Sequence, residues 1–211
     1  MKIKTLVVGP VRTNCYIAYD EESREAFIVD PGAEENRILS FVRENGLHVG
    51  HILLTHSHFD HVMALSAVQA ETGAAVYVHE LEKDNIEKGQ HAELRSMGLP
   101  AWQFAPVPVA CALAGGEKLV LLGRDFTVLH TPGHTPGSVC YDDGETLFSG
   151  DTLFAFSCGR TDLPGGSMTD LRASLAFLAA LPGDRKVLPG HEEETTLALE
   201  RGRNPYLGRG F

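Results

Sequence analysis

The densest cluster of metal-binding side-chain types in this chain occupies the segment Thr55-His56-Ser57-His58-Phe59-Asp60-His61. Four such side chains, those of His56, His58, Asp60 and His61, fall within six residues. Imidazole together with carboxylate favours Zn, Fe or Mn over Ca or Mg. Because the histidines alternate on an extended segment that leads into a helix start, the four groups can converge on neighbouring ions. We interpret the segment as the core of a two-metal site rather than as a polar surface loop.

Three further candidate ligands follow other apolar segments of the chain. His134, Asp151 and His191 each come after a short strand-like segment, at a turn marked by glycine. When several strands end at the same edge of a sheet, their loops can build one pocket from distant parts of the chain. We therefore expect these three side chains to lie beside the histidine-rich turn.

The elements that must position these residues are predicted from hydrophobic periodicity and turn signals. Residues 51–54 form a strand that enters the histidine-rich turn, and residues 62–68 continue as a helix. An antiparallel meander is predicted at the start of the chain, and a second strand series follows residue 117. The predicted strands are 2–8, 14–19, 25–29, 74–78, 118–122, 126–130, 138–141 and 146–148, and the predicted helices are 34–45, 169–181 and 193–201. Residues 79–98 have too weak an apolar pattern for an assignment.

Composition and net charge limit the kinds of partner and the cellular compartment that we expect for this chain. The chain has 211 residues, 43% hydrophobic and 22% charged, which is ordinary for a soluble globular protein, and we predict one domain over residues 1–211. Its net charge of −10 argues against nucleic acid or an anionic membrane as the main partner. No signal peptide, membrane span or paired-cysteine motif is evident, so we expect a cytoplasmic protein. The oligomeric state stays open.

The spacing His-x-His-x-Asp-His, followed by isolated His134, Asp151 and His191, resembles that of the metallo-β-lactamase fold hydrolases. The resemblance covers nearly the whole chain and implies an α/β fold, the αβ/βα four-layer sandwich of two mixed β-sheets with helices outside. It also implies two divalent metal ions, zinc first, with iron or manganese as options. One ion would be held by His56, His58 and His134 and the other by Asp60, His61 and His191, with Asp151 bridging.

Several short motifs are similar to those of glyoxalase II and its small bacterial relatives. They are Asn14-Cys15-Tyr16, Val29-Asp30-Pro31-Gly32, Thr131 to Gly137, Ser149 to Phe154 and Gly159 to Gly166. This resemblance implies hydrolysis of a small thioester, in which a hydroxide shared by the two metals attacks the acyl carbon and Asp60 helps to orient it. Arg160 occupies the place of a basic residue that contacts the thiol carrier. The carrier and the acyl group stay open, because Asp162 replaces a tyrosine and only twenty residues follow His191.

Two other activities share the fold. Persulfide dioxygenases resemble this chain in the histidine motif and in the segment Cys158 to Asp162, and they use one iron held by the equivalents of His56, His134 and Asp151. A lactonase acting on a ring ester is a third enzymatic option. An interaction module without activity is disfavoured, because its ligand set would be expected to be damaged and all seven positions are present here.

Three residues outside the ligand set have open roles. Asp30 ends a predicted strand, and it either orients a ligand histidine or serves only as a turn residue. Trp102 lies in the aromatic and proline-rich segment 99–106, which either lines a substrate pocket or, as we favour, packs on the core. Cys158 would need a lowered thiol pKa to act as a nucleophile. Two metal ions would make that role unnecessary.

Overall fold

The first part of the chain forms a six-stranded mixed sheet in the computed structural model, which describes residues 1–98 and 104–207. Its strands are β1 (Lys2–Val8), β2 (Thr13–Tyr19), β3 (Glu25–Val29), β4 (His48–Leu53), β5 (Ala75–His79) and β6 (Cys111–Leu113). They lie in chain order across the sheet. The first three are antiparallel, as the sequence predicts, and β3 to β6 run parallel to one another.

The second sheet also has six strands and is built from the later part of the chain. In chain order the strands are β7 (Lys118–Leu121), β8 (Arg124–His130), β9 (Val139–Asp142), β10 (Thr146–Gly150), the separate short hairpin β11 (Leu153–Phe154) and β12 (Ser157–Cys158), then β13 (Lys186–Pro189) and β14 (Thr195–Thr196). The order in this sheet is β14-β13-β10-β9-β8-β7. Only β10 and β13 pair in parallel, so both large sheets are mixed.

Seven helices are described: α1 (Glu35–Glu44), α2 (Phe59–Val62), α3 (Leu65–Thr72), α4 (Glu80–Lys88), α5 (Ala92–Ser96), α6 (Met168–Ala179) and α7 (Leu197–Arg203). The side chain of Ser167 accepts a hydrogen bond from the Asp170 N–H and caps the start of α6. The predicted helix at 62–68 is divided into α2 and α3. The helix predicted from residue 193 begins only at Leu197, because Thr195 and Thr196 pair with β13.

The two large sheets pack face to face, and helices cover their outer faces. Along β2, Tyr16 and Ala18 point into the core between the sheets, whereas Cys15 and Ile17 pack in the layer formed with α1 and α3. This alternation follows from the two-residue period of a strand. The core between the sheets contains an aromatic cluster of Phe27, Phe126 and Phe148, and the outer face of the second sheet packs on α6 and α7. The predicted αβ/βα four-layer sandwich is therefore confirmed.

The segment 99–106, which we expect to pack on the core rather than to line a pocket, is only partly described by the structure. Trp102 lies outside the described residues. The ring of Phe104, which follows it, packs on the imidazole of His91 with a centroid distance of 4.1 Å. Across residues 1–98 and 104–207, no helix is long and apolar enough to cross a membrane.

Candidate metal centre

Four loops meet at the edge where β4, β8, β10 and β13 end. The loop after β4 and the start of α2 supply His56, His58, Asp60 and His61, and the other three loops supply His134, Asp151 and His191. These seven side chains form three overlapping groups, in each of which the candidate ligand atoms lie within 4.8 Å of one another. The groups are His56, His58 and His134; His56, His61 and Asp151; and Asp60, His61 and His191.

Asp151 lies between the two outer groups. Its Oδ2 atom is 3.4 Å from Nε2 of His134, and its Oδ1 atom is 3.4 Å from Nε2 of His61. His191 closes the second group, with its Nε2 atom 3.2 Å from Oδ2 of Asp60. One carboxylate therefore presents an oxygen to each group of histidines, which is the arrangement expected of a ligand shared by two ions.

The centre contains buried polar atoms without hydrogen-bond partners, as a cation site would. Four such side-chain atoms occur among the described residues, and three of them, His56 Nε2, His61 Nε2 and Asp151 Oδ1, lie in the centre; the fourth is His79 Nε2. Buried polar atoms are rarely left unpaired, since desolvating them without a partner costs about 1–3 kcal/mol each. In addition, His58 Nδ1 lies 2.8 Å from His134 Nε2. Imidazole nitrogens and carboxylate oxygens arranged in this way fit Zn, Fe or Mn.

The outward-facing nitrogens of two histidines are held by Asp30 and Thr55. Asp30, which is 1% exposed, accepts hydrogen bonds from the Thr55 N–H at 2.8 Å, the Thr55 hydroxyl at 2.6 Å and His61 Nδ1 at 2.9 Å. Because the Thr55 hydroxyl donates to Asp30, its oxygen accepts from His56 Nδ1, 3.1 Å away. In both rings the proton is placed on Nδ1, which leaves Nε2 as the ligand atom. Of the two roles left open for Asp30, the hydrogen bond to His61 favours that of an orienting residue.

His134 is held by the backbone of the segment after β12. Its Nδ1 atom donates to the carbonyl oxygen of Arg160 at 2.7 Å, so its Nε2 atom faces the centre. Gly159 makes this approach possible, because a Cβ atom at that position would lie 1.9 Å from the Asp151 carbonyl oxygen and 3.2 Å from His134 Nδ1. The requirement for glycine in the Cys-Gly-Arg segment is therefore steric.

Thr13 and Asn14, at the start of β2, support the centre from the first sheet. The Thr13 hydroxyl donates to Asp60 Oδ2 at 2.7 Å and fixes that carboxylate. The Asn14 amide donates to the carbonyl oxygens of Pro189 and Glu192, on either side of His191. No role was predicted for Thr13 or Asn14. The signals in the sequence are the motif Asn14-Cys15-Tyr16 and the two polar residues that open a strand whose other residues are mostly buried.

Two buried glutamates reach the histidine-rich turn from α4 and α5. Glu82 accepts a short hydrogen bond from the Ser57 hydroxyl and a second, of 3.0 Å, from the Gly137 N–H. Glu93 accepts from the Phe59 N–H at 2.9 Å. Neither residue was predicted, because both lie in the segment 79–98, which was left unassigned. Their hydrogen bonds connect the histidine-rich turn to α4 and α5, which contain no candidate ligand.

The electrostatics of the centre favour a bound cation. Burial lowers the pKa of His58 to about 4, helped by the neighbouring His134, and it lowers that of His56 well below its usual value. Burial also disfavours charge on His61, but the carboxylates of Asp60, Asp151 and Asp30 outweigh it and raise the His61 pKa well above its usual value. The low pKa values of His56 and His58 favour the neutral imidazole, which is the form that binds a metal ion.

The same interactions keep the two carboxylates ionised. Burial opposes the charge of Asp60, but His61 and His191 lower its pKa to about 2. The pKa of Asp151 is likewise well below its usual value, because His61, His134 and His191 outweigh burial. At neutral pH the centre thus offers two anionic carboxylates as ligands.

A cavity of about 980 Å³ opens onto the centre at Asp151 and His191. Arg160 and Cys158 line it. The Arg160 guanidinium forms a two-pronged ion pair with Asp162, with N–O distances of 2.6 and 2.7 Å. Burial raises the pKa of the Cys158 thiol to about 11, so the thiol is neutral at pH 7. This state argues against a nucleophilic cysteine.

Comparison with known proteins identifies the family. The family model described as the metallo-beta-lactamase superfamily matches residues 8–191, which include all seven candidate ligands. The chain belongs to the metallo-β-lactamase superfamily. As a member of this superfamily it is a metal-dependent hydrolase by class, and the layered fold and the cluster at the sheet edge agree with that assignment.

Two curated relatives in the superfamily match over essentially their whole length. The chain is 37% identical to the probable metallo-hydrolase YqgX of Bacillus subtilis, covering 100% of this chain and 99% of that protein. It is 33% identical to the hydroxyacylglutathione hydrolase GloC of Haemophilus influenzae, covering 98% of each. Both names describe a hydrolase; the first specifies a metal and the second specifies a substrate.

Two solved structures of the superfamily superpose closely. The B3 metallo-β-lactamase BLEG-1 matches with a TM-score of 0.90 and 38% identity, covering 98% of this chain and 99% of that one. TTHA1623, solved in a di-iron-bound form, matches with a TM-score of 0.84 and 40% identity, covering 97% and 100%. At these identities the similarity extends to the sequence as well as the fold.

Proposed function

We propose that this superfamily member hydrolyses a small thioester of the hydroxyacylglutathione type with two divalent metal ions. The observation that carries the proposal is the position of the Asp151 carboxylate between His134, which lies with His56 and His58, and His61, which lies with Asp60 and His191. GloC, a hydroxyacylglutathione hydrolase, supports the choice of substrate class, and the di-iron form of TTHA1623 supports a binuclear site.

The first ion would be held by His56, His58 and His134 and the second by Asp60, His61 and His191, with Asp151 between them. When bound, such a pair of ions supplies a hydrolytic nucleophile at neutral pH and a Lewis acid for the acyl oxygen. The donor atoms are nitrogen and oxygen only, which suits zinc first and iron or manganese next.

Asp60 is the catalytic carboxylate of the proposal. Its Oδ2 atom accepts a hydrogen bond from the Thr13 hydroxyl and faces the ring nitrogens of His61 and His191. Its lowered pKa keeps it an acceptor, so it can orient the attacking water by accepting a hydrogen bond from it. The leaving group is a thiolate, which departs without a strong general acid, and no further acid is required of the cavity.

Arg160 contributes to the site through two different atoms. Its carbonyl oxygen fixes His134, and its side chain lines the cavity beside the centre. Asp162 engages the Nε and Nη2 atoms of the guanidinium, which leaves Nη1 to contact a remote part of the substrate. We therefore retain Arg160 as a substrate-binding residue that acts mainly on KM.

The cellular setting is part of the proposal. Within residues 1–98 and 104–207 all four cysteines are free thiols. Free, partly buried thiols are typical of proteins in a reducing compartment, which supports a cytoplasmic location. Titration of the purified protein with a thiol reagent under denaturing conditions should find all four cysteines reduced.

A β-lactam amide is the second candidate substrate, because the match to the metallo-β-lactamase BLEG-1 is as extensive as that to TTHA1623. An amide nitrogen is a poorer leaving group than a thiolate and would need a proton donor. Persulfide oxidation with one iron and hydrolysis of a ring ester are the remaining alternatives from the sequence. Each predicts a different product.

The test compares four substrates on the metal-loaded protein: S-D-lactoylglutathione, a chromogenic cephalosporin, a lactone and glutathione persulfide with an oxygen electrode. We expect thioester cleavage to dominate and Asp151→Ala to lower its kcat/KM by about 100-fold or more. Asp20→Ala, in the exposed turn between β2 and β3, is the matched control. Cleavage of the cephalosporin alone, or oxygen uptake with the persulfide, would overturn the proposal.

A further inference from the structure

Arg12 lies in the turn between β1 and β2 and forms part of the wall of the cavity that opens onto Asp151 and His191. We propose that Arg12 binds a carboxylate of the substrate's thiol carrier and selects carriers derived from amino acids. The proposal rests on the thioesterase function proposed above, but it concerns the end of the substrate away from the scissile bond.

The position of Arg12 is fixed by its neighbours. The next two residues, Thr13 and Asn14, are buried and are bonded to Asp60 and to the carbonyl oxygens beside His191. The Arg12 N–H donates to the Gly9 carbonyl oxygen at 3.2 Å, and its φ angle of 63° places it in the left-handed region. The turn is therefore anchored to the candidate metal centre on the side from which Arg12 projects.

All the N–H groups of the Arg12 guanidinium are available to a ligand, whereas Asp162 engages the Nε and Nη2 atoms of Arg160. Within the described residues the Arg12 guanidinium has no hydrogen bond and no ion pair, whereas Arg160 is engaged by Asp162. A guanidinium offers two parallel N–H donors that match the two oxygens of a carboxylate. In a chain of net charge −10, a cation without a partner beside the centre is a specific feature of the cavity.

The rest of the cavity wall restricts the carrier further. Glu192 and Glu193 also line it, and both are exposed. Two carboxylates beside the Arg12 guanidinium, which is unpaired in the described part of the chain, disfavour a carrier rich in phosphate and favour one that has an ammonium group as well as a carboxylate. The apolar side chains of Val7, Val11 and Phe156, also exposed in the cavity wall, provide contact for aliphatic parts of the substrate. A peptide thiol has this combination of groups.

The test uses one acyl group on two thiols. Metal-loaded protein is assayed with S-lactoylglutathione, whose carrier has carboxylates and an ammonium group, and with S-lactoyl-N-acetylcysteamine, whose carrier has no charge. We expect Arg12→Ala to raise KM for the glutathione thioester by about tenfold more than for the neutral thioester, as expected for one lost charge-assisted hydrogen bond. Arg12→Lys should show a smaller difference, because it keeps the charge without the paired donors.

Arg24→Ala is the matched control, since Arg24 is also an arginine with a positive φ angle, 61°, but lies in the turn between β2 and β3 and outside the cavity wall. It should affect the two thioesters equally. An equal effect of Arg12→Ala on both thioesters, or an effect on kcat alone, would overturn the proposal.

A binding measurement separates failure of this inference from failure of the proposed function. S-methylglutathione, which cannot be hydrolysed, is titrated calorimetrically into the wild-type protein and Arg12→Ala. We expect Kd to rise by about tenfold in the variant. If the wild type binds S-methylglutathione through Arg12 but cleaves no thioester, the proposed reaction is wrong and the carrier site stands. If Kd is the same in both proteins, or the wild type does not bind, the carrier site is wrong.

Discussion

Replacing Asp30 by asparagine tests how strongly the centre depends on the direction of one ring nitrogen. The Asp30 carboxylate accepts three hydrogen bonds, two from Thr55 and one from His61 Nδ1. Asparagine keeps the shape but turns one acceptor into a donor. If the amide oxygen stays on the Thr55 N–H, the amide nitrogen faces His61 and forces the ring proton onto Nε2, the atom that faces the centre.

The expected loss of metal affinity follows from the hydrogen bond between Asp30 and His61 Nδ1 that the substitution removes. Removing a group that orients a ligand histidine lowers metal affinity by about 10- to 100-fold, or about 1.4–2.7 kcal/mol. The loss should be largest for the ion held by His61 together with Asp60 and His191. The ion held by the His56 group should be affected less, because Asp30 reaches His56 only through the Thr55 hydroxyl.

The assay is a titration of metal-free protein with zinc in competition with a chromogenic chelator, fitted to two sites. Circular dichroism and thermal unfolding of the metal-free variant verify that it is folded. Asp20→Asn is the control, since Asp20 accepts backbone hydrogen bonds from Glu22 and Ser23 in an exposed turn far along the chain from the ligands. Wild-type affinity for both ions in folded Asp30→Asn would refute the reasoning.

Three further predictions concern support, reactivity and packing. Glu93→Ala removes the acceptor of the Phe59 N–H and should lower the free energy of unfolding of the metal-free protein, measured in urea, by about 1–3 kcal/mol. Glu93→Gln should lower it by less. Equal losses in the two variants would contradict this role of Glu93. Cys158, with a pKa of about 11 raised by burial, has little thiolate at neutral pH, so iodoacetamide should alkylate it slowly there and faster as pH rises towards 11; rapid alkylation at neutral pH would contradict it. Phe27→Ala should lower the free energy of unfolding, measured by calorimetry, by about 3–5 kcal/mol, because Phe27 is buried in the core between the sheets. The control Phe177→Ala, at an exposed position, should lower it by about 0.5 kcal/mol or less. Similar losses in both variants would argue against the core between the sheets.

The elements that present the ligands could be predicted because their signals are local. Each is a short apolar strand followed by a turn, and glycine marks the turns that contain His134, Asp151 and His191. The two-residue alternation of β2 is also visible in the sequence. Family resemblance implied the layered sandwich, but the order of strands in the sheets was not predicted, since hydrophobic periodicity alone does not specify which strands are neighbours.

The supporting contacts could not be predicted because they join residues far apart in the chain. Thr13 is 47 residues from Asp60, and Glu93 is 34 residues from Phe59. Helix α4 escaped prediction for a related reason: it buries the carboxylate of Glu82 as well as the apolar Ile86, so its inward face has no simple hydrophobic period. In the sequence, a buried glutamate whose hydrogen-bond donors lie in a distant turn cannot be distinguished from a glutamate on the surface.

Arg12 and Arg160 show the same limit at the cavity. Resemblance drew attention to Arg160, which does line the cavity. Only the structure shows that Asp162, two residues away, already engages its guanidinium, while Arg12 has no such partner among the described residues. Position in a motif predicts where a side chain lies, but its charge partners depend on the fold.

The central claim is that two metal ions in one cluster carry out thioester hydrolysis, and stepwise reconstitution tests it most directly. Metal-free protein is given increasing zinc, and bound metal by elemental analysis and S-lactoylglutathione hydrolysis are measured on the same samples. The proposed pair of ion sites, built from the three overlapping groups, predicts that activity rises until about two ions are bound per chain. Full activity with one ion per chain, or one bound iron with oxygen uptake and no thioester cleavage, would contradict it.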